Sequence, residues 1–163
     1  MVKKVITMCL VMSMVSVASA VLKVVILNED TGAWEEHEES TFTITPSDSF
    51  IWGVQDDGAT ATGFYVLGLN PLGLGSITNP TNVSVAVADA ALMNDATMAT
   101  DYGVQDPFIA MTLTNSVDGL LFTSTFHCEG EGDVTLYAFN DNYLVEDTQV
   151  VHKVPEPVTL AIL

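Results

Sequence analysis

The chain of 163 residues carries 21 Asp and Glu against 4 basic residues, all of them Lys, for a formal charge of −17. An acid excess of this size repels phosphate backbones and anionic lipid heads, which need clustered Lys and Arg, so nucleic acid is excluded as a partner. With 48% hydrophobic and 15% charged residues there is core material for one domain, and the surface falls to Ser, Thr, Asn, Gly and acid.

Residues 1–20 read as a signal peptide of the Sec type. Met1-Val2-Lys3-Lys4 is the positive start, residues 5–17 are apolar, and Ala18-Ser19-Ala20 fits a small-residue cleavage site, with Ala18 and Ala20 flanking Ser19. The apolar run is shorter than the ~20 residues of a membrane span. Cleavage after Ala20 is therefore expected, and with it export to the cell envelope, the cell surface or the medium. Two lysines and no acid leave with the leader, which takes the net charge from −17 to −19. Cys128 is then the only cysteine, and no intramolecular disulfide can form.

Residues 21–153 form the expected domain. Segments rich in Val, Ile, Phe, Tyr and Thr are separated by Gly, Pro, Asn and Asp clusters at sandwich spacing. The expected fold is all-β, a single antiparallel β-sandwich with at most one or two short helical turns. About nine strands are predicted, over residues 22–27, 41–45, 50–54, 64–69, 83–88, 108–114, 121–127, 134–139 and 144–151. Alternation places Val83, Val85 and Val87 on one face of their strand, and Phe122, Ser124, Phe126 and Cys128 on the core face of another. Thr123, Thr125 and His127 then point outward. Residues 70–76 read as a loop, and Asp89 is positioned to cap a short Ala and Met helix that ends by Thr97.

The residues that invite chemistry are few. Glu35, His37 and Glu39 fall on one side of an extended run, but an acid run is usually a solvated one. Calcium takes carboxylate and carbonyl oxygens, and Asp56, Asp57 and Asp141, in Asp-rich turns, are its candidate ligands; no other cofactor is expected. Trp34, Trp52, Phe64 and Tyr65 are the candidates for stacking on a sugar. Catalysis has no visible motif: there is no Gly-x-Ser-x-Gly elbow, no zinc spacing among His37, His127 and His152, and no phosphate loop. A carboxylate pair for glycoside hydrolysis remains open in so acidic a chain.

The tail begins Val154-Pro155-Glu156-Pro157. It resembles the opening of the PEP-CTERM sorting signal, in which this motif leads into a hydrophobic helix and an Arg-rich end processed by an exosortase. The resemblance implies an exosortase-type partner and a biofilm or extracellular-matrix setting in a Gram-negative-type envelope. Residues 154–163 give only six positions beyond Pro157, about 9 Å of helix against a hydrocarbon core of ~30 Å. The reading frame is expected to run on into the missing anchor, through which alone the membrane would be engaged.

The body is similar to the cohesin-like β-sandwich domains of exported planctomycete-type proteins with that tail. The similarity is carried by Ile44-Thr45-Pro46-Ser47-Asp48-Ser49, by Gly53-Val54-Gln55-Asp56-Asp57-Gly58, and by the stretch from Gly119-Leu120-Leu121-Phe122 to Asp133-Val134. It implies a cohesin-like jelly roll, related to carbohydrate-binding modules, whose partner is a protein or a polysaccharide. The expected function is a non-catalytic surface or matrix protein, with an extracellular polysaccharide-active enzyme as the alternative.

Overall fold

The computed structural model describes residues 22–36, 42–45, 47–58, 62–70, 74–115 and 117–153. The leader with its cleavage site, the tail motif, and His37 and Glu39 lie outside the described residues. In chain order the elements are β1 (Leu22–Asn28), β2 (Ala33–Glu35), β3 (Phe42–Ile44), β4 (Ser49–Asp57), β5 (Gly63–Asn70), β6 (Gly75–Asn82), β7 (Val87–Met93), α1 (Ala96–Tyr102), β8 (Phe108–Leu113), β9 (Asp118–Cys128), β10 (Gly132–Asn140) and β11 (Val145–Lys153). Two sheets stack, in the orders β2-β1-β4-β9-β6 and β3-β11-β10-β5-β8-β7.

Period-two patterning builds both sheets. In β9, Phe122, Ser124, Phe126 and Cys128 are buried while Thr123, Thr125 and His127 lie partly open on the far face, as the alternation requires. On the core face of the five-stranded sheet Trp52 of β4 meets Phe122 of β9 edge-on at 5.7 Å. Phe50 stacks on Phe126 at 4.9 Å and takes the edge of Phe42 at 4.8 Å. Such pairs add ~0.5–1.5 kcal/mol each beyond the area they bury. The two sheets are tied where Val24 N of β1 donates to Asp147 Oδ2 of β11 at 2.7 Å.

A second apolar cluster lies on the outer face of the six-stranded sheet, where Ala99 and Tyr102 of α1 pack with Val66, Val104, Phe108 and Phe139. Gly68 makes this approach feasible, because an added Cβ would sit 2.6 Å from Val104 Cβ.

Four local expectations are corrected. There are eleven strands rather than nine, since β2 and the polar β6 have no counterpart among the segments predicted from the sequence. Both are edge strands, and an edge tolerates Pro80 and a bulge between Thr78 and Thr81 because one row of its backbone groups needs no partner. Of the predicted strand over residues 83–88 only Val87 and Ala88 belong to a strand, as the start of β7, while residues 83–86 are the crossing between sheets: Val83 N and Ser84 N both donate to Leu121 O, and of the three valines Val83 and Val85 are exposed and Val87 is buried. The helix starts later than predicted. Asp89 lies in β7 opposite Thr112, and Asp95 is the cap, its Oδ1 accepting from Thr97 N and Met98 N; Gly103, at φ 67°, closes the helix. Finally, β3 runs parallel to β11, because no hairpin joins these two distant segments and so none fixes their direction.

Candidate functional site

The residues nominated for sugar stacking do not come together as one strip. Trp52 and Tyr65 sit at inward positions of β4 and β5, 0% and 4% exposed, and offer no ring face to a ligand. Phe64, one residue from Tyr65, turns to the opposite face and packs on the helix-side cluster. Trp34 lies half-buried on the outer face of the five-stranded sheet, over Gly53.

The three carboxylates nominated for calcium are also dispersed. Asp56 is buried and accepts from Gly58 N at 3.1 Å and Val117 N at 3.2 Å, which fastens two turns at one end of the sandwich. Asp57 is exposed at the end of β4, and Asp141 accepts from Asn142 Nδ2 at the tip of the β10–β11 hairpin. Among the described residues no group of three or more His, Cys, Asp or Glu is placed to hold a metal ion.

Ser49 Oγ and His127 Nδ1 are 2.9 Å apart, as cross-strand neighbours of β4 and β9. A triad needs a carboxylate to orient the imidazole from its other nitrogen, and no described carboxylate is bonded there. A cleft of about 630 Å³ opens between β1–β2 and β3–β4, with Phe42 and Phe50 inside it and Glu29, Asp30, Glu35 and Asp48 around it. Two of those acids already accept bonds: Glu35 from Asn28 Nδ2 at 2.7 Å, and Asp48 from the Thr45 hydroxyl.

The side chains that are both exposed and held in place lie elsewhere, at the tip of the β10–β11 hairpin. Tyr143, Leu144 and Val145 are 56%, 62% and 51% exposed in succession, in a domain that buries most of its large apolar groups. Asn140 builds the turn beneath them. Its Oδ1 accepts from Asn142 N and Leu144 N, its carbonyl accepts from Tyr143 N, and its Nδ2 donates to Glu146 Oε1 at 2.7 Å. This is a three-residue hairpin loop whose last position takes a left-handed backbone, usually on glycine. Here that position is Tyr143, at φ 62°.

The Tyr143 ring rests on Tyr102 of α1 at 4.6 Å, Tyr102 meets Phe139 at 5.6 Å, and Phe139 stacks on Tyr137 at 5.4 Å. A row of four aromatic rings thus runs from the sheet over the helix to the tip. Burial first, and then Tyr143 and Asp141, push the Tyr102 hydroxyl pKa upward. The sequence holds one clue to this site that composition does not reveal: a glycine-free turn, Asn140-Asp141-Asn142-Tyr143, where glycine would be easier.

Tyr65 carries a pH-dependent contribution to stability. Burial, aided by Glu146, Asp56 and Asp141, pushes its pKa from 10.0 to about 12. Because the folded value is the higher one, this contribution is complete below pH 10.0 and is lost as pH rises through 10.0 toward about 12. The urea midpoint is expected to fall across that window, and Tyr65→Phe should flatten the fall. An unchanged alkaline slope in the variant would remove Tyr65 from the account.

The sequence matches no protein-family model and no curated protein. Its fold is similar to the sixth cohesin of scaffoldin B from Acetivibrio cellulolyticus, solved in complex with a Cel5 dockerin. The TM-score is 0.50 at 8% identity, over 84% of this chain and 100% of that one. CaCohA2 from Clostridium acetobutylicum gives 0.48 at 14%, over 85% and 94% of the two chains. A non-cellulosomal cohesin from Archaeoglobus fulgidus gives 0.43 at 11%, over 83% and 92%. At such identities the likeness concerns the fold alone, and the fold is a cohesin-like β-sandwich.

Proposed function

We propose that this chain is an exported, non-catalytic binding module that takes a protein partner outside the cell. The observation that carries the reading is the hairpin tip, where three consecutive apolar side chains stand exposed on a fixed aromatic row. A cohesin whose fold it shares at a TM-score of 0.50 was solved in complex with a dockerin, which supports a protein partner over a polysaccharide. The leader ending at Ala18-Ser19-Ala20 supports export, and Val154-Pro155-Glu156-Pro157 supports handling by an exosortase.

Two measurements test this reading. Mass spectrometry of the protein recovered from the envelope or medium of its host should find Val21 at the N-terminus, and a chain that retains Met1 would refute cleavage. The full chain should bind partner proteins saturably through a surface that Tyr143→Gly weakens, and should release no product from a polysaccharide panel. Release of reducing ends would favour an extracellular polysaccharide-active enzyme instead.

A further inference from the structure

The hairpin tip has a chemistry that narrows its partner. Its apolar surface is Tyr143, Leu144 and Val145, and the carboxylates of Asp101, Asp141 and Glu146 belong to the helix and hairpin that carry it. No described lysine sits among them: Lys23 is on β1, paired with Glu36 at 3.5 Å, and Lys153 lies opposite Gly132 at the other end of the hairpin. The chain contains no arginine.

The tip is also fixed before any partner arrives. Asn140 satisfies the loop backbone with its own side chain, and Tyr102 supports the Tyr143 ring from beneath. A tyrosine with a left-handed backbone costs ~1 kcal/mol or more where glycine would cost nothing. Packing of the ring against Tyr102 at 4.6 Å returns part of that cost, yet more than half of the residue still faces solvent. Strain that persists under an exposed aromatic group is characteristic of a site whose side chain has a task beyond folding.

We infer that this tip receives a segment of a partner protein in which apolar side chains are flanked by Lys or Arg. The inference rests on the binding-module reading above and adds the chemistry of its partner. The apolar groups of the segment would cover Tyr143 and Leu144 while its cations meet the surrounding carboxylates. A neutral glycan would gain nothing from that field, and an anionic one would be repelled. Rigid tyrosine and complementary charge are the usual ingredients of a small interface centre.

A peptide library displayed on phage and selected on the immobilised full chain tests the inference. Enriched peptides are expected to combine apolar residues with Lys or Arg. They should bind wild type about tenfold or more tighter than the double variant Tyr143→Gly, Leu144→Ser, which keeps every charge and suits the turn. A second variant, Asp101→Asn with Asp141→Asn, keeps the apolar shelf and should abolish the preference for basic peptides along with their salt sensitivity. Tip-dependent peptides without a basic bias would overturn the chemistry while leaving the binding site intact. Peptides that bind the Tyr143 variant equally well, or no enrichment at all, would overturn both. Displacement of tip-bound peptides by a soluble neutral glucan would reassign the surface to glycan.

Discussion

Replacing Trp52 with alanine is expected to destabilise the domain by ~3–5 kcal/mol, read as a lower urea midpoint at unchanged slope. Trp52 lies in the middle of β4, opposite Ile26 on one side and Ser124 on the other, with no exposed surface. Its ring fills the space against Phe122, and the strands on both sides cannot close in without breaking their ladders. Domains of this size hold only ~5–15 kcal/mol in total, so the variant would sit near the edge of folding. Trp52→Phe should cost far less. The indole Nε1 is buried with no hydrogen-bond partner among the described residues, and an orphaned donor carries a penalty of ~1–3 kcal/mol that phenylalanine removes. Equal losses for the two variants would show that ring volume is not what Trp52 supplies.

The contrast between β9 and β6 shows what the sequence could reveal. In β9, Phe122, Ser124, Phe126 and Cys128 alternate with Thr123, Thr125 and His127, so a purely local signal names the core face. The edge strand β6 reads Gly-Ser-Ile-Thr-Asn-Pro-Thr-Asn and has only Ile77 deeply buried among its large side chains, so its strand character comes from pairing with β9 and not from its own composition. Val83 and Val85 mislead for the converse reason. They carry the β-branched signature, but the chain is changing sheets there and no ladder receives them. Asp89 and Asp95 are both plausible helix caps by type. The choice falls to Asp95 because residues 87–93 are needed as the outer neighbour of β8, a tertiary demand that local capping rules cannot see.

The proposed binding surface is less legible in the sequence than the fold. Trp34, Trp52, Phe64 and Tyr65 are sugar-stacking candidates by type, because large aromatic groups can stack on sugars, yet type alone does not tell a strand's inward positions from its outward ones. The aromatic row that does reach solvent draws Tyr102 from α1 and Tyr137, Phe139 and Tyr143 from the β10–β11 hairpin. Their meeting depends on α1 lying across β5 and β10, where Gly68 leaves room for Val104. No window of sequence short enough to be read for periodicity contains both halves. Only the missing glycine at Tyr143 is a local mark.

Gly53→Ala is expected to cost ~1–3 kcal/mol, the range of an overpacked interior, although it adds a single methyl group. Gly53 sits in the centre of the five-stranded sheet, opposite Val25 in β1 and Thr123 in β9. A Cβ there would lie 2.5 Å from the backbone oxygen of Phe122, 3.0 Å from Leu120 Cδ1 and 3.5 Å from Trp34 Cζ3. The first of these decides the matter, because Phe122 O belongs to the strand backbone and can move only if β9 shifts against β4. The β4–β9 register already slips between Val54 and Gln55, one residue on, which leaves little slack for a second distortion. Backbone strain plays no part, since Gly53 is not among the residues at positive φ. Combining the substitution with Trp34→Ala separates the contacts: if the ring were the obstacle, the double variant would recover the loss, whereas a clash with the Phe122 carbonyl leaves the two costs close to additive. A Gly53→Ala protein as stable as wild type would mean that β9 does not pass β4 at this register.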